Sequence, residues 1–159
     1  MISASNTTPI LSLHKIGKLS LLREIFGKIY IPAAVYNEIA VGKDKVGYNL
    51  LEAVDYIQMK QIQNFLAADL LRSQLDIGES EAIVLARELN ANILIMDEKK
   101  GRRIAQANGQ KIIGTVGILQ VAKNRGLIRD LKAILDELII AGVWIDRKLY
   151  QDVLDDESK

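Results

Sequence analysis

The chain has 159 residues, about the length of one domain, so a single domain over residues 1–159 is expected. Hydrophobic residues make up 49% and charged residues 26%, which excludes wholesale disorder; 21 Lys and Arg against 20 Asp and Glu leave a net charge of +1, so general basicity cannot hold a polyanion. With no cysteine and one histidine, His14, disulfides, thiolate metal sites, cysteine nucleophiles and multi-histidine zinc sites are excluded, and any metal must be bound through oxygen.

Short apolar strand candidates alternate with helical patterns, the rhythm of an α/β fold with a mainly parallel sheet. Residues 2–5 read as a first strand, after which Pro9 opens a helix carrying Ile10 and Leu13 and, past Gly17, Leu19 and Leu22. A second strand is predicted over 28–31. Pro32 then serves as the first residue of a helix with Ala34, Val35 and Ile39 on one face, ending near Gly42, while 43–55 show no clear pattern. A third strand over 56–60 precedes a helix over 67–75, with Gly78 as the break before the next. In that next helix, over 79–89, Ala82, Leu85, Ala86 and Leu89 form one inward stripe. The apolar run 93–96 ends at Asp97, as a central strand buried on both faces would. A helix over 99–108 stops at Gly109, residues 112–113 form a last strand, and helices follow over 116–123, 131–140 and 147–154, the last capped by Asp146.

In a parallel sheet the functional site lies beyond the carboxyl ends of the strands, which selects Asn6, Thr7 and Thr8, then Asp97, then Gly114-Thr115. Two helix carboxylates can join them: Glu38, bordering the stripe of Ala34 and Val35, and Glu81, four residues before Leu85. Three carboxylates and an amide in one cleft would repel one another unless a divalent cation held them. Hard oxygen donors suit Mg²⁺ or Mn²⁺, and the implied chemistry is phosphodiester hydrolysis. Plainer roles exist for each residue. Glu38 could be a solvated helix residue, Asp97 the N-cap of the Lys-rich helix, and Glu79 and Glu81 simply favoured by a helix amino terminus. Lys99, Lys100, Arg102, Arg103 and Lys111 form the densest basic stretch, either a nucleic-acid contact or a solvated face. His14 reads as structural, and Trp144 as packing a core or a subunit interface rather than stacking on a base.

Taken in order, Ser5-Asn6-Thr7-Thr8-Pro9-Ile10-Leu11, Ile31-Pro32-Ala33-Ala34-Val35-Tyr36-Asn37-Glu38, Gly78-Glu79-Ser80-Glu81-Ala82-Ile83, Leu94-Ile95-Met96-Asp97 and Ile113-Gly114-Thr115-Val116-Gly117 resemble the PIN domain, in its prokaryotic branch related to VapC toxins. The resemblance covers most of the chain. It implies a three-layer α/β/α sandwich and a metal-dependent endoribonuclease in which Asn6, Glu38, Glu81 and Asp97 occupy the positions of the acidic residues that hold one or two Mg²⁺ or Mn²⁺ ions. Asn6 departs from the usual aspartate: its amide oxygen can coordinate but carries no charge. The same resemblance makes Glu81 rather than Glu79 the ligand, leaves Glu79 a supporting or capping group, and gives Thr7 or Thr115 a role in positioning water or phosphate; Lys99 or Lys100, following Asp97 directly, could stand at the cleft. It further implies messenger or transfer RNA as substrate, a small antitoxin as partner, and a homodimer.

A PIN-fold module that binds RNA or a protein without cutting is the alternative. A phospho-receiver lacks its acidic pair at Ser5-Asn6, and Gly114-Thr115-Val116-Gly117 has neither the dinucleotide-binding nor the P-loop spacing. No apolar run approaches the ~18 residues of a membrane span, and the start lacks a basic segment leading into an apolar stretch, so a cytoplasmic protein is expected.

Overall fold

A computed structural model describes residues 1–41 and 50–158. In chain order these form β1 (Ser3–Ser5), α1 (Thr7–Lys15), α2 (Ser20–Phe26), β2 (Ile29–Ile31), α3 (Ala33–Val41), α4 (Leu50–Ala53), β3 (Ile57–Met59), α5 (Phe65–Leu71), α6 (Ile77–Glu88), β4 (Ile93–Ile95), α7 (Lys99–Ala107), β5 (Ile112–Ile113), α8 (Thr115–Asn124), α9 (Leu131–Ile140) and α10 (Arg147–Glu157). The five strands make one sheet in the order β3-β2-β1-β4-β5, and every pairing is parallel.

Both faces of the sheet are covered, because alternate residues of short apolar strands point to opposite sides. Ile95, with Ile29 and Ile31, joins the core built by α1, α2, α8 and α9, while Leu94 and Met96, with Ala4, face α6 and α7. The result is the expected three-layer α/β/α sandwich. Pro32 and Ile31 lead directly into α3, whose buried Ala34, Val35 and Ile39 pack it against α1 and α6.

Several helix starts differ from the sequence expectation, each for a local reason. Helix α1 begins at Thr7, with Asn6 at its N-cap, so Pro9 lies inside the first turn, where a missing N–H costs nothing. Pro32 precedes α3 rather than beginning it, and its carbonyl accepts from the Tyr36 N–H at 3.0 Å. Gly78 does not break the chain. It is the second residue of α6, which Asp76 starts through a reciprocal capping box with Glu79. Helix α5 starts at Phe65 because Asn64 accepts from the Ala67 N–H, and it ends at Leu71 rather than continuing to Leu75. The predicted end of α3 at Gly42 and most of 43–55 lie outside the described residues. Among the described residues no helix is long and apolar enough to cross a membrane.

Candidate active site

The strand order changes direction at β1, from which the chain proceeds to β2 and β3 on one side and to β4 and β5 on the other. A crevice therefore opens beyond the carboxyl ends of β1 and β4, the switch point at which open α/β sheets bind ligands. Asn6 follows β1 immediately, and its backbone N–H donates to the Ile95 carbonyl of β4 at 3.0 Å. Asp97 lies two residues beyond that carbonyl. Helices α3 and α6, packed on each other, bring Glu38 and Glu81.

Asn6 occupies an N-cap position in extended backbone, yet its side chain makes no capping bond, although asparagine is among the best capping residues; the residue is buried and its amide is not spent on the helix. Glu38 accepts from the Thr7 hydroxyl at 2.5 Å. Burial raises its carboxyl above the usual range; the Thr7 hydroxyl and Gly78 N–H oppose this, while the negative charges of Asp76 and Glu81 add to it. A Cβ on residue 78 would overlap Glu38 Oε1 and stand 2.9 Å from its Cδ, so the placement of the Glu38 carboxylate against α6 depends on glycine. Glu81 is buried and accepts from the Ala34 N–H at 3.0 Å, thereby capping α3, which has no polar side chain of its own at Pro32.

Asp97 is held from the start of α8: the Thr115 N–H donates to Oδ1 at 2.7 Å and the Thr115 hydroxyl to Oδ2 at 2.6 Å. It does not cap the Lys-rich helix. Glu98 does that, accepting from the Lys100 and Gly101 N–H groups, which leaves Asp97 facing the crevice. Arg102 reaches the same corner, donating to the Met96 carbonyl at 3.1 Å rather than pairing with an acid. A Cβ on Gly114 would lie 2.7 Å from Asp97 Oδ1 and 2.6 Å from Arg102 Nη1, so this corner too needs glycine. Lys99 lines the two grooves that flank Asp97; the Lys100 side chain is exposed.

Glu79 has the capping role. Its buried Oε2 has no donor, and its carboxyl is pushed up to about 8 by burial and by Asp76. Burial also works against ionised Glu98, but the Gly101 and Lys100 N–H groups outweigh it and hold that carboxyl below its usual range. A protonated Glu79 donating to Glu98 reconciles the two, since the neutral acid supplies the hydrogen that the orphaned oxygen lacks.

A family model described as a PIN domain matches residues 2–159. The chain belongs to the PIN-domain family. No curated protein matches it. PIN domains are typically nucleases that use divalent metals, and the donors of this PIN domain fit such an ion in kind: carboxylate and amide oxygens, without thiolate or imidazole. The electrostatics agree, because Glu38 is half-buried beside like charges and none of the ion pairs found among the described residues, Arg72–Asp69, Lys123–Glu157 and Lys132–Asp136, neutralises Glu38, Glu81 or Asp97. The cage is not closed, however. Among the described residues no three His, Asp or Glu side chains stand close enough to hold a metal, each carboxylate being turned to its own donor on Thr7, Ala34 or Thr115.

Sequence reasoning missed three parts of this PIN domain's site. Gly78 reads as punctuation because its neighbour Glu38 is remote in sequence. Arg102 is hidden in a basic run. Trp144 is not in a core: it is 76% exposed and lines the groove beside Asp97. Its apolar neighbours disguise it, and only the alternation of residues 143–145 could have suggested an outward indole.

Proposed function

We propose that this PIN domain is an endoribonuclease that hydrolyses RNA phosphodiester bonds with Mg²⁺ or Mn²⁺, the toxin-like component of a VapC-like pair restrained by a small antitoxin and working as a homodimer. The observation that carries the proposal is the pairing of position with charge: Asn6 and Asp97 follow the strands that meet at the switch point, and the neighbouring half-buried Glu38 carboxylate lies near the negative charges of Asp76 and Glu81 with no cationic partner among the described residues.

Glu38, Glu81 and Asp97, with the Asn6 amide oxygen, are the residues that would hold the ion. A divalent cation bound there polarises a phosphoryl oxygen and lowers the pKa of a coordinated water. Thr7 and Thr115 do not need to touch substrate in this scheme. Their hydroxyls orient Glu38 and Asp97 and fix which carboxylate lone pairs remain free. Lys99 and Arg102 supply positive charge beside Asp97, on the side from which a polyanionic strand would approach.

Incubating purified protein with single-stranded RNA and Mn²⁺, beside the Asp97→Asn variant, tests this. Wild type is expected to cleave and the variant to lose at least about a hundredfold in rate; equal cleavage by both assigns the activity to a contaminant. The second reading, a PIN fold that binds without cutting, draws on the neutral Asn6 and on the open arrangement of the carboxylates. RNA binding without cleavage by either protein would establish it.

A further inference from the structure

The chain's single tryptophan stands apart from its apolar neighbours. After α9 the backbone turns through Gly142, at φ +94°, and the Val143 N–H donates to the Leu138 carbonyl at 2.9 Å. Val143 and Ile145 then pack against the larger core, whereas Trp144 between them is 76% exposed, and Asp146 locks the following residue into the start of α10. The indole is thus presented outward from a segment pinned on both sides, which limits the ordering entropy lost when something stacks on it.

It is also presented somewhere in particular. Trp144 lines a groove of about 690 Å³ whose wall includes Asp97 and Thr115, the corner of the candidate active site, together with Lys15 and Lys99; Glu98 and Asp146 also line it, each accepting from the N–H groups of the helix it caps. An exposed aromatic face that shares a groove with ammonium groups has the chemistry of single-stranded nucleic-acid binding: the ring takes a base and the lysines take neighbouring phosphates. A duplex cannot use the ring, since its bases are already stacked. The exposed Ile139 and Ile140 are not in the wall of this groove, so the groove is not simply the continuation of an apolar patch.

We infer that Trp144 is a base-stacking platform that positions one unpaired nucleotide of an RNA strand beside Asp97, with Lys15 and Lys99 on its phosphates. This rests on the ribonuclease proposal for the choice of RNA, but it is tested without cleavage. In a chelating buffer the sole tryptophan reports directly: titrating the full chain with short oligouridylate or oligoadenylate should quench its emission saturably, high salt should abolish the quenching, and duplex RNA should produce little. By anisotropy of a labelled single strand, Trp144→Ala should bind at least about fivefold more weakly and Trp144→Phe within about twofold of wild type. RNA binding that leaves the emission unchanged, an unweakened Trp144→Ala, or no binding at all would overturn the inference. So would an emission shift that follows protein concentration alone, which would mean that a second copy covers the indole. Quenching by a protein that never cuts RNA would leave the platform standing and remove the nuclease.

Discussion

A methyl group at position 78 would take space that the Glu38 carboxylate already fills. The atoms in its way are the end of a flexible side chain, so Gly78→Ala should fold: urea unfolding is expected to lie within about 1 kcal/mol of wild type, helped by the higher helix propensity of alanine. RNA cleavage should nevertheless fall by about a hundredfold, because Glu38 is pushed off its hydrogen bond to Thr7. Retained activity would show that Glu38 placement is unimportant. Glu79 gives the second residue-scale prediction. Its carboxyl titrates at about 8 in the folded chain against the ordinary 4.5, so between these values the folded state holds the extra proton. Its contribution to stability is complete below about pH 4.5 and is lost as pH rises through about 8. Glu79→Gln keeps an N3 partner for the capping box and a donor for Glu98. Measured with chelator present, urea midpoints at about pH 6 and pH 9 should differ clearly in wild type and much less in the variant; parallel losses would contradict the shared proton. Residue chemistry was partly legible in the sequence: Asn6, Asp97 and Thr115 follow from the strand-end rule alone, whereas the Gly78–Glu38 contact joins positions forty residues apart and leaves no local trace.

Helix α6 carries more of the fold than its pattern suggests. The stripe of Ala82, Leu85, Ala86 and Leu89 predicts an amphipathic helix, but every residue from Gly78 to Ala86 is buried, because α3, α5 and α7 as well as the sheet close around it. Two glutamates are buried along with the apolar residues, and each bonds a helix start through one oxygen: Glu79 Oε1 in the α6 capping box, Glu81 Oε1 at the first turn of α3. Leu85→Ala should therefore cost about 2 to 5 kcal/mol in a urea denaturation series, the range for a fully enclosed leucine, and a loss below about 1 kcal/mol would mean that α6 is not enclosed as described. Helix α9 and strand β5 have the bounds that the periodicity predicts, since each has a polar start and a glycine or polar stop. The starts of α1 and α6 were harder to place. A capping residue, not the nearest proline or glycine, decides them, and Asn6 and Asp76 lie just upstream of the more conspicuous Pro9 and Gly78.

At the scale of the molecule, one topological fact organises the rest: β1 is flanked by β2 on one side and β4 on the other, so residues far apart in the chain share one rim. The alternation of strands and helices announces a parallel sheet, but not its strand order, which is fixed by contacts between distant segments. The order is what puts Asn6 beside the end of β4 and, with α3 and α6 packed together, brings Glu38 and Glu81 to the same end. It also sets Trp144, from the far end of the chain, in the wall of the groove that reaches Asp97. The central claim is that this rim holds a divalent cation, for which Glu38, Glu81 and Asp97 must turn from their present donors. A crystal structure grown with Mn²⁺ tests that most directly, through its anomalous difference density. The account predicts a peak in the crevice with oxygen ligands from Glu38, Glu81 or Asp97 and with Asn6 against it; a crevice without manganese at saturating concentration, its three carboxylates still bonded to Thr7, Ala34 and Thr115, would contradict it.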